Sequence, residues 1–248
     1  MLKDIARSNW VASTNLPFGL LAFASGSLDV VSFLRLGNVF ASVMTSNMVL
    51  VAVAVVLRDG DLGFRCAVAL AGYIAGVAVA ALVAAPANDR RGLGAGHLTG
   101  LLAGEAAVLA GFSAGWMATG GHPGGGAQIA LLAIVAVGMG GQSVAAKALG
   151  DPNAGTTFLT GTLTGLVSSV VWSRGTASAD RPAITALVAL VTGAAASVGL
   201  LEVAPSAAPV LALCAVVVTA TLSGLAARRG RGGPNSPPPP LGPKTAGR

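Results

Sequence analysis

The chain has 248 residues, 54% of them hydrophobic and only 10% charged, with a mean hydropathy of +0.77. Soluble domains carry about 25% Asp, Glu, Lys and Arg, so the composition excludes a soluble enzyme, and with two cysteines it also excludes a disulfide-built secreted domain. Five of the fifteen Lys and Arg behind the net charge of +6 lie in the last 21 positions, which reads as a topology signal and not as a nucleic-acid-binding face.

Lys3 and Arg7 open the chain, and Ala22-Phe23-Ala24 imitates a signal-peptidase site. The apolar run continues past that site, so an uncleaved first helix is expected. At about 20 apolar residues per crossing, helices are predicted at Leu16–Arg35, Val39–Leu57, Cys66–Ala85, Leu98–Thr119, Ala127–Ala148, Gly155–Trp172, Ala183–Val203 and Ala207–Ala227. Turn residues join them, as in Leu36-Gly37-Asn38, Arg58-Asp59-Gly60-Asp61 and Asp151-Pro152-Asn153. The expected fold class is an all-α polytopic membrane protein of eight transmembrane helices, or seven if the first hairpin is re-entrant. Residues 1–15 form a cytoplasmic N-terminal segment, 16–227 the bundle, and 228–248 a basic, Pro-rich, disordered cytoplasmic tail with extended backbone at Pro237–Pro240.

Eight crossings with both termini in the cytoplasm divide Lys and Arg 11 inside to 4 outside, as the positive-inside rule prefers. Trp10, Trp116 and Trp172 then fall at the cytoplasmic interface.

Val43-Met44-Thr45-Ser46-Asn47-Met48 aligns with Phe158-Leu159-Thr160-Gly161-Thr162-Leu163, and Gly26-Ser27-Leu28-Asp29 with Met139-Gly140-Gly141-Gln142. Four helices separate the copies, so the expectation is two parallel four-helix repeats, about 16–119 and 127–227, related by an axis along the membrane normal. These residues also resemble the YoaK-like group of bacterial inner-membrane proteins. That group carries Gly-x-x-Asp followed by Met-Thr-Gly-Asn, matched by Gly26, Asp29 and Met44-Thr45-Ser46-Asn47. Its second half carries Met-Gly-x-Gln-Asn and Thr-x-x-Thr-Gly, matched by Met139-Gly140-Gly141-Gln142-Ser143 and Thr157-Phe158-Leu159-Thr160-Gly161. Ser46 stands where the group has glycine, and Ser143 where it has asparagine. The resemblance implies a helical bundle in the bacterial inner membrane and carries no activity with it.

Charges within the bilayer are the strongest functional pointers, since an unpaired carboxylate in hydrocarbon is costly. Asp29 and Glu105 both fall inside predicted helices, and Ser25, Asp29 and Ser32 share one face at helical spacing. Asp29 either hydrogen-bonds hydroxyls such as Ser42 and Thr45 to fix packing, or handles a proton or substrate. Asn47 and Gln142 need partners for an amide's donors and acceptor, and are expected near a common polar centre with Asp29. Thr45 and Thr160 complete the candidate pathway, although threonine stripes also serve packing.

Gly72 and Gly76, Gly100 and Gly104, and Gly111 and Gly115 have small-xxx-small spacing and read as packing. Gly111-Phe112-Ser113-Ala114-Gly115 matches a nucleophile elbow but lies inside an apolar helix. Two His and two Cys, scattered singly, form no metal spacing, so neither an enzyme nor a metal or cofactor is expected. The leading reading is a small-solute secondary transporter or permease, with proton coupling through the buried carboxylates. The alternative is a membrane scaffold or accessory subunit. The expected partners are the lipid bilayer and a small solute, with room for a homo-oligomer and none for nucleic acid.

Overall fold

The computed structural model describes residues 2–84, 95–149, 159–172 and 181–231. Among them the chain is α-helical without strands: α1 (Leu2–Arg35), α2 (Met44–Leu57), α3 (Gly60–Ala84), α4 (Ala95–Ala118), α5 (Gly125–Ala148), α6 (Leu159–Trp172), α7 (Arg181–Val203), one 3-10 turn (Pro205–Ala207) and α8 (Val210–Arg231). The first helix begins well before the predicted Leu16 and runs through Pro17, and α8 carries four residues beyond the predicted Ala227. The rest of the predicted tail, including Pro237–Pro240, lies outside the described residues.

Six of the described helices are long and apolar enough to cross a bilayer: α1 from Leu16, α3, α4, α5, α7 and α8. Helix α2 has 14 residues, about 21 Å of helix against a hydrocarbon core of about 30 Å, and α6 is described from Leu159 to Trp172. The predicted Val39–Leu57 span is shorter than its apolar run because Val39 to Val43 is not helical. Met48, Val55, Val56, Leu57, Ile74, Leu82 and Val203 are all exposed, while Ser25, Ser27, Asp29, Asn47, Glu105 and Gln142 are buried. That inversion of the soluble pattern fits a lipid surround and an internal polar layer. The chain is a multi-pass helical membrane protein.

Helix α1 packs chiefly on α7 and α8, α3 on α5, and α4 on α5 and α8, while α2 rides on α3 and α6 on α7. Side-chain bonds give the directions. Gln128 near the start of α5 donates to the Arg35 carbonyl at the end of α1 (2.8 Å), and Gln142 further along α5 donates to the Leu21 carbonyl (2.9 Å). Helices α1 and α5 are therefore antiparallel. So are α4 and α8: Trp116 donates from its indole to the Pro205 carbonyl ahead of α8 (2.8 Å), while Thr99 lies against Gly224. Parallel halves would need each of these pairs to run the same way, so that expectation is corrected. Parallel halves require α2 to be a full crossing, and its 14 residues fall short of the roughly 20 that a crossing takes. Trp116, in the last turn of α4, is fully buried, its ring centroid 5.9 Å from that of Phe112, and clamps α4 to the segment ahead of α8.

Two interfaces are held by backbone contact. Gly26 of α1 lies under the Leu190 carbonyl of α7 and Gly193 of α7 under the Phe23 carbonyl of α1; Gly76 of α3 lies under the Val137 carbonyl of α5 and Gly140 of α5 under the Tyr73 carbonyl of α3. A side chain at any of the four would drive a Cβ into a backbone oxygen, and small residues are what let membrane helices approach this closely. Gly72 joins the α3–α5 seam, against Ala133 and Ala136, whereas Gly100, Gly104 and Gly111 meet nothing within 4 Å.

Gly26→Ala and Gly140→Ala should each destabilise the protein by about 1–3 kcal/mol, the cost of overpacking a seam that cannot yield. Gly111→Ala should be close to neutral, because its new methyl enters open space. Thermal unfolding in detergent, followed by tryptophan fluorescence, checks the ranking.

Candidate functional site

Asp29 lies six residues before the end of α1. Beyond Arg35 the chain reverses through Gly37 and Asn38, with φ of 101° and 61°, then runs non-helically back alongside α1 as far as Val43. Ser42 thereby reaches the depth of Asp29. Its backbone N–H donates to Asp29 Oδ1 (2.7 Å) and its hydroxyl to Oδ2 (2.5 Å). Asn47 closes the same segment from the first turn of α2, accepting from the Phe40 N–H (2.9 Å) and donating to the Phe40 carbonyl (2.7 Å). Phe40 stacks on Phe33 of α1 with centroids 5.1 Å apart. Non-helical backbone survives at membrane depth only where protein groups satisfy it, and Asp29 and Asn47 are those groups here.

Helix α2 then leads back to where α1 ended. Arg58 takes the left-handed conformation at its C-terminus (φ 56°), α3 starts at Gly60, and the Arg65 side chain lies over Gly37. A guanidinium beside the last turn of α1 also complements that helix's negative end.

A second polar group sits one turn along α1. Gln142 of α5 donates to Ser25 Oγ as well as to the Leu21 carbonyl, both at 2.9 Å. Ser27 and Ser197 share a hydrogen bond of 2.5 Å between α1 and α7, and Tyr73 and Ser143 one of 2.6 Å between α3 and α5. Asp29, Asn47 and Gln142 thus belong to one buried layer, linked along α1. Ser25, Asp29 and Ser32 all face inward, as their spacing predicts. Thr45 points outward from α2 and is exposed. Thr160 falls in the first turn of α6, its side chain outside those described. Glu105 is buried in α4, and neither of its oxygens has a hydrogen-bond partner.

Sequence reasoning passed over Tyr73, the one tyrosine of the chain. A lone phenol in an apolar helix needs a polar partner, and that signal could have found it. It also missed the Trp116–Pro205 bond, for which the sequence offers no local cue. An open depression of about 270 Å³ at the α2–α3 corner, lined by Val51, Ala54, Val55, Arg58, Asp59, Gly60 and Gly63, contains none of the layer residues. Among the described residues no group of His, Cys, Asp and Glu could hold a metal.

The glycines at the seams, the carboxylate on α1 and the Met-Thr-Ser-Asn run at the start of α2 lie within a stretch, residues 18–223, that matches the family described as "Protein of unknown function (DUF1275)". The chain belongs to that family. It is also 33% identical over 159 residues to the UPF0700 transmembrane protein YoaK of Bacillus subtilis (strain 168), covering 64% of this chain and 68% of that protein. No solved structure matches the chain.

Asp29→Leu should lower stability by about 1–3 kcal/mol, because it strands the buried Ser42 N–H. Asp29→Asn keeps one acceptor for that N–H and should cost about 0.5–1.5 kcal/mol. Unfolding midpoints of the two purified variants against the parent check the order; an Asn variant as unstable as the Leu variant would contradict it.

Proposed function

We propose that this protein is a small-solute permease of the bacterial inner membrane, built from two inverted halves, the first of which carries a short helix, α2, behind a non-helical lead-in. The carrying observation is the reciprocal pattern of backbone contacts. Adding 114 to an α1 position and 117 to an α3 position turns Gly26 under Leu190 into Gly140 under Tyr73, and Gly193 under Phe23 into Gly76 under Val137. The same mapping turns α1 on α7 into α5 on α3, α4 on α5 into α8 on α1, and α2 on α3 into α6 on α7. Antiparallel mates make the relation an inversion, with its two-fold axis in the membrane plane. In this register Asp29 corresponds to Ser143, one position on from the pairing with Gln142 that the sequence alignment uses.

Six crossings follow, with α2 as a re-entrant helix that leaves the membrane on the side from which its lead-in segment came, and α6 as its counterpart in the second half. Charge supports this assignment. Lys3, Arg7, Arg90, Arg91, Lys147, Arg174, Arg181 and the five basic residues from Arg228 onward then share one side, twelve in all, against Arg35, Arg58 and Arg65 on the other. A division of twelve to three is steeper than the 11 to 4 of eight crossings, and it puts both termini in the cytoplasm.

Inverted repeats with discontinuous helices meeting near mid-membrane are a recurrent transporter plan, in which the free N-terminus of the broken helix faces the substrate path. Here α2 starts beside Asp29 with no side-chain cap at Val43, and the layer of Ser25, Asp29, Asn47 and Gln142 supplies the polar groups. Purified protein should gain thermal stability from a solute that it carries, and liposomes holding the protein should accumulate that solute. A broad screen of small metabolites giving neither effect would count against the permease.

The topology is tested separately by reporter fusions. Asp61 and Gly124 should report outside, with Asn88, Ser178 and both termini inside. Eight alternating crossings put Asp61 inside and Asn88 outside, so those two sites decide.

A further inference from the structure

Glu105 is 4% exposed, and both of its carboxyl oxygens are buried without a hydrogen-bond partner. Its nearest neighbours on the buried stripe of α4 are Leu101, Leu102 and Leu109, followed by Phe112 and by Ser113, whose hydroxyl is likewise buried without a partner. Helix α5 crosses α4 with Gly115 against Leu131 and Gly138 against Val108 and Leu109, a register that sets Glu105 level with Gly141 and Gln142. On α8, Trp116 at Pro205 and Thr99 at Gly224 set it level with Val216 to Val218. The nearest buried hydroxyl in sequence on α8, Thr219, donates to the Ala215 carbonyl of its own helix (2.8 Å). The titratable and charged groups described on α4 and the helices packed against it are His97 on α4 itself, Lys147 on α5, Cys214 and Arg228 on α8, and Asp61, Arg65, Cys66 and Tyr73 on α3. None of them hydrogen-bonds Glu105.

An ionised carboxylate in that position would have neither a donor nor a countercharge, and burial denies it water. Asp29 differs in kind, because both of its oxygens accept from Ser42. We propose that Glu105 is a proton-binding site: it carries its proton in this conformation and releases it to water when the contacts of α4 with α5 and α8 open. The O–H bond breaks, the proton leaves with solvent, and the carboxylate left behind is stable only while it is hydrated. The inference rests on the permease reading for its use, since a proton site exposed alternately to the two sides is what couples uptake to a proton gradient. Asp29 is then a positioning residue that holds the lead-in to α2.

Infrared spectroscopy of the full chain in lipid at pH 7 tests the protonation directly. The parent should show the C=O stretch of a protonated carboxyl, Glu105→Gln should lose it, and Asp29→Asn should keep it. Dicyclohexylcarbodiimide, which adds the O–H of a protonated carboxyl in apolar surroundings across its C=N bond, assigns the residue independently. Mass spectrometry of treated membranes should find the acylurea at Glu105 in the parent and in Asp29→Asn, and at no carboxyl of the bundle in Glu105→Gln. Parent and Glu105→Gln spectra that coincide, or an adduct on Asp29 in place of Glu105, would overturn the proposal. A protonated Glu105 in a protein that no solute stabilises and that accumulates none would sustain the proton site while removing the permease, so the two failures are distinguishable.

Discussion

A backbone amide without a partner is costlier in hydrocarbon than anywhere else in a protein, and that constraint governs the bend between α1 and α2. From Leu36 to Val43 the chain has left one helix and not begun the next, yet it runs beside the body of α1. A carboxylate suits Ser42 because it can accept from the N–H and the hydroxyl at once, and an amide suits Phe40 because it both donates and accepts. Asp29 and Asn47 are thus explained first as substitutes for the hydrogen bonds that a helix would have made. Their place in a polar layer follows from where the broken segment must end.

The helices around that bend differ in how they are joined. The α1–α7 and α3–α5 seams bring backbone to backbone at glycine and leave no room to slide without collision. The contacts of α4 set side chains, not backbone, against its partners: Phe112 and Trp116 are buried there, and Gly115 and Gly138 each meet a leucine side chain. Side-chain interfaces can repack through rotamers, whereas glycine seams move as rigid pairs. Within an inverted-repeat permease, the glycine seams would be the rigid bodies and the surroundings of α4 and α8 the joint.

Two carboxyl groups within one bundle therefore have unlike surroundings. Asp29 spends its acceptors on Ser42, one oxygen on the N–H and the other on the hydroxyl, and so holds the lead-in to α2. Glu105 has leucines as its nearest neighbours on α4, and neither of its oxygens has a hydrogen-bond partner. Composition alone could not rank them, because both are acids at the same kind of sequence position. The partner, or the lack of one, makes the distinction.

Much of the architecture was legible in the chain itself. Apolar runs located the helices because lipid selects against charge along a whole crossing, and the spacing of Ser25, Asp29 and Ser32 assigned them to the buried face because helical periodicity is local. The start of α2 was not legible in the same way: the apolar run begins at Val39, and the helix begins only at Met44. Helix direction was not legible: an apolar stretch from Val39 to Leu57 has the composition of a span whether it crosses or turns back, and only the bond from Asp29 to Ser42 and the contact of Arg65 with Gly37 show the chain returning. With that reversal α3 starts beside the end of α1, and α5 runs antiparallel to α1. Composition reports which residues can lie in lipid. Which of them meet is set by contacts between segments more than a hundred residues apart, such as Gln142 with Leu21, and no local pattern encodes those.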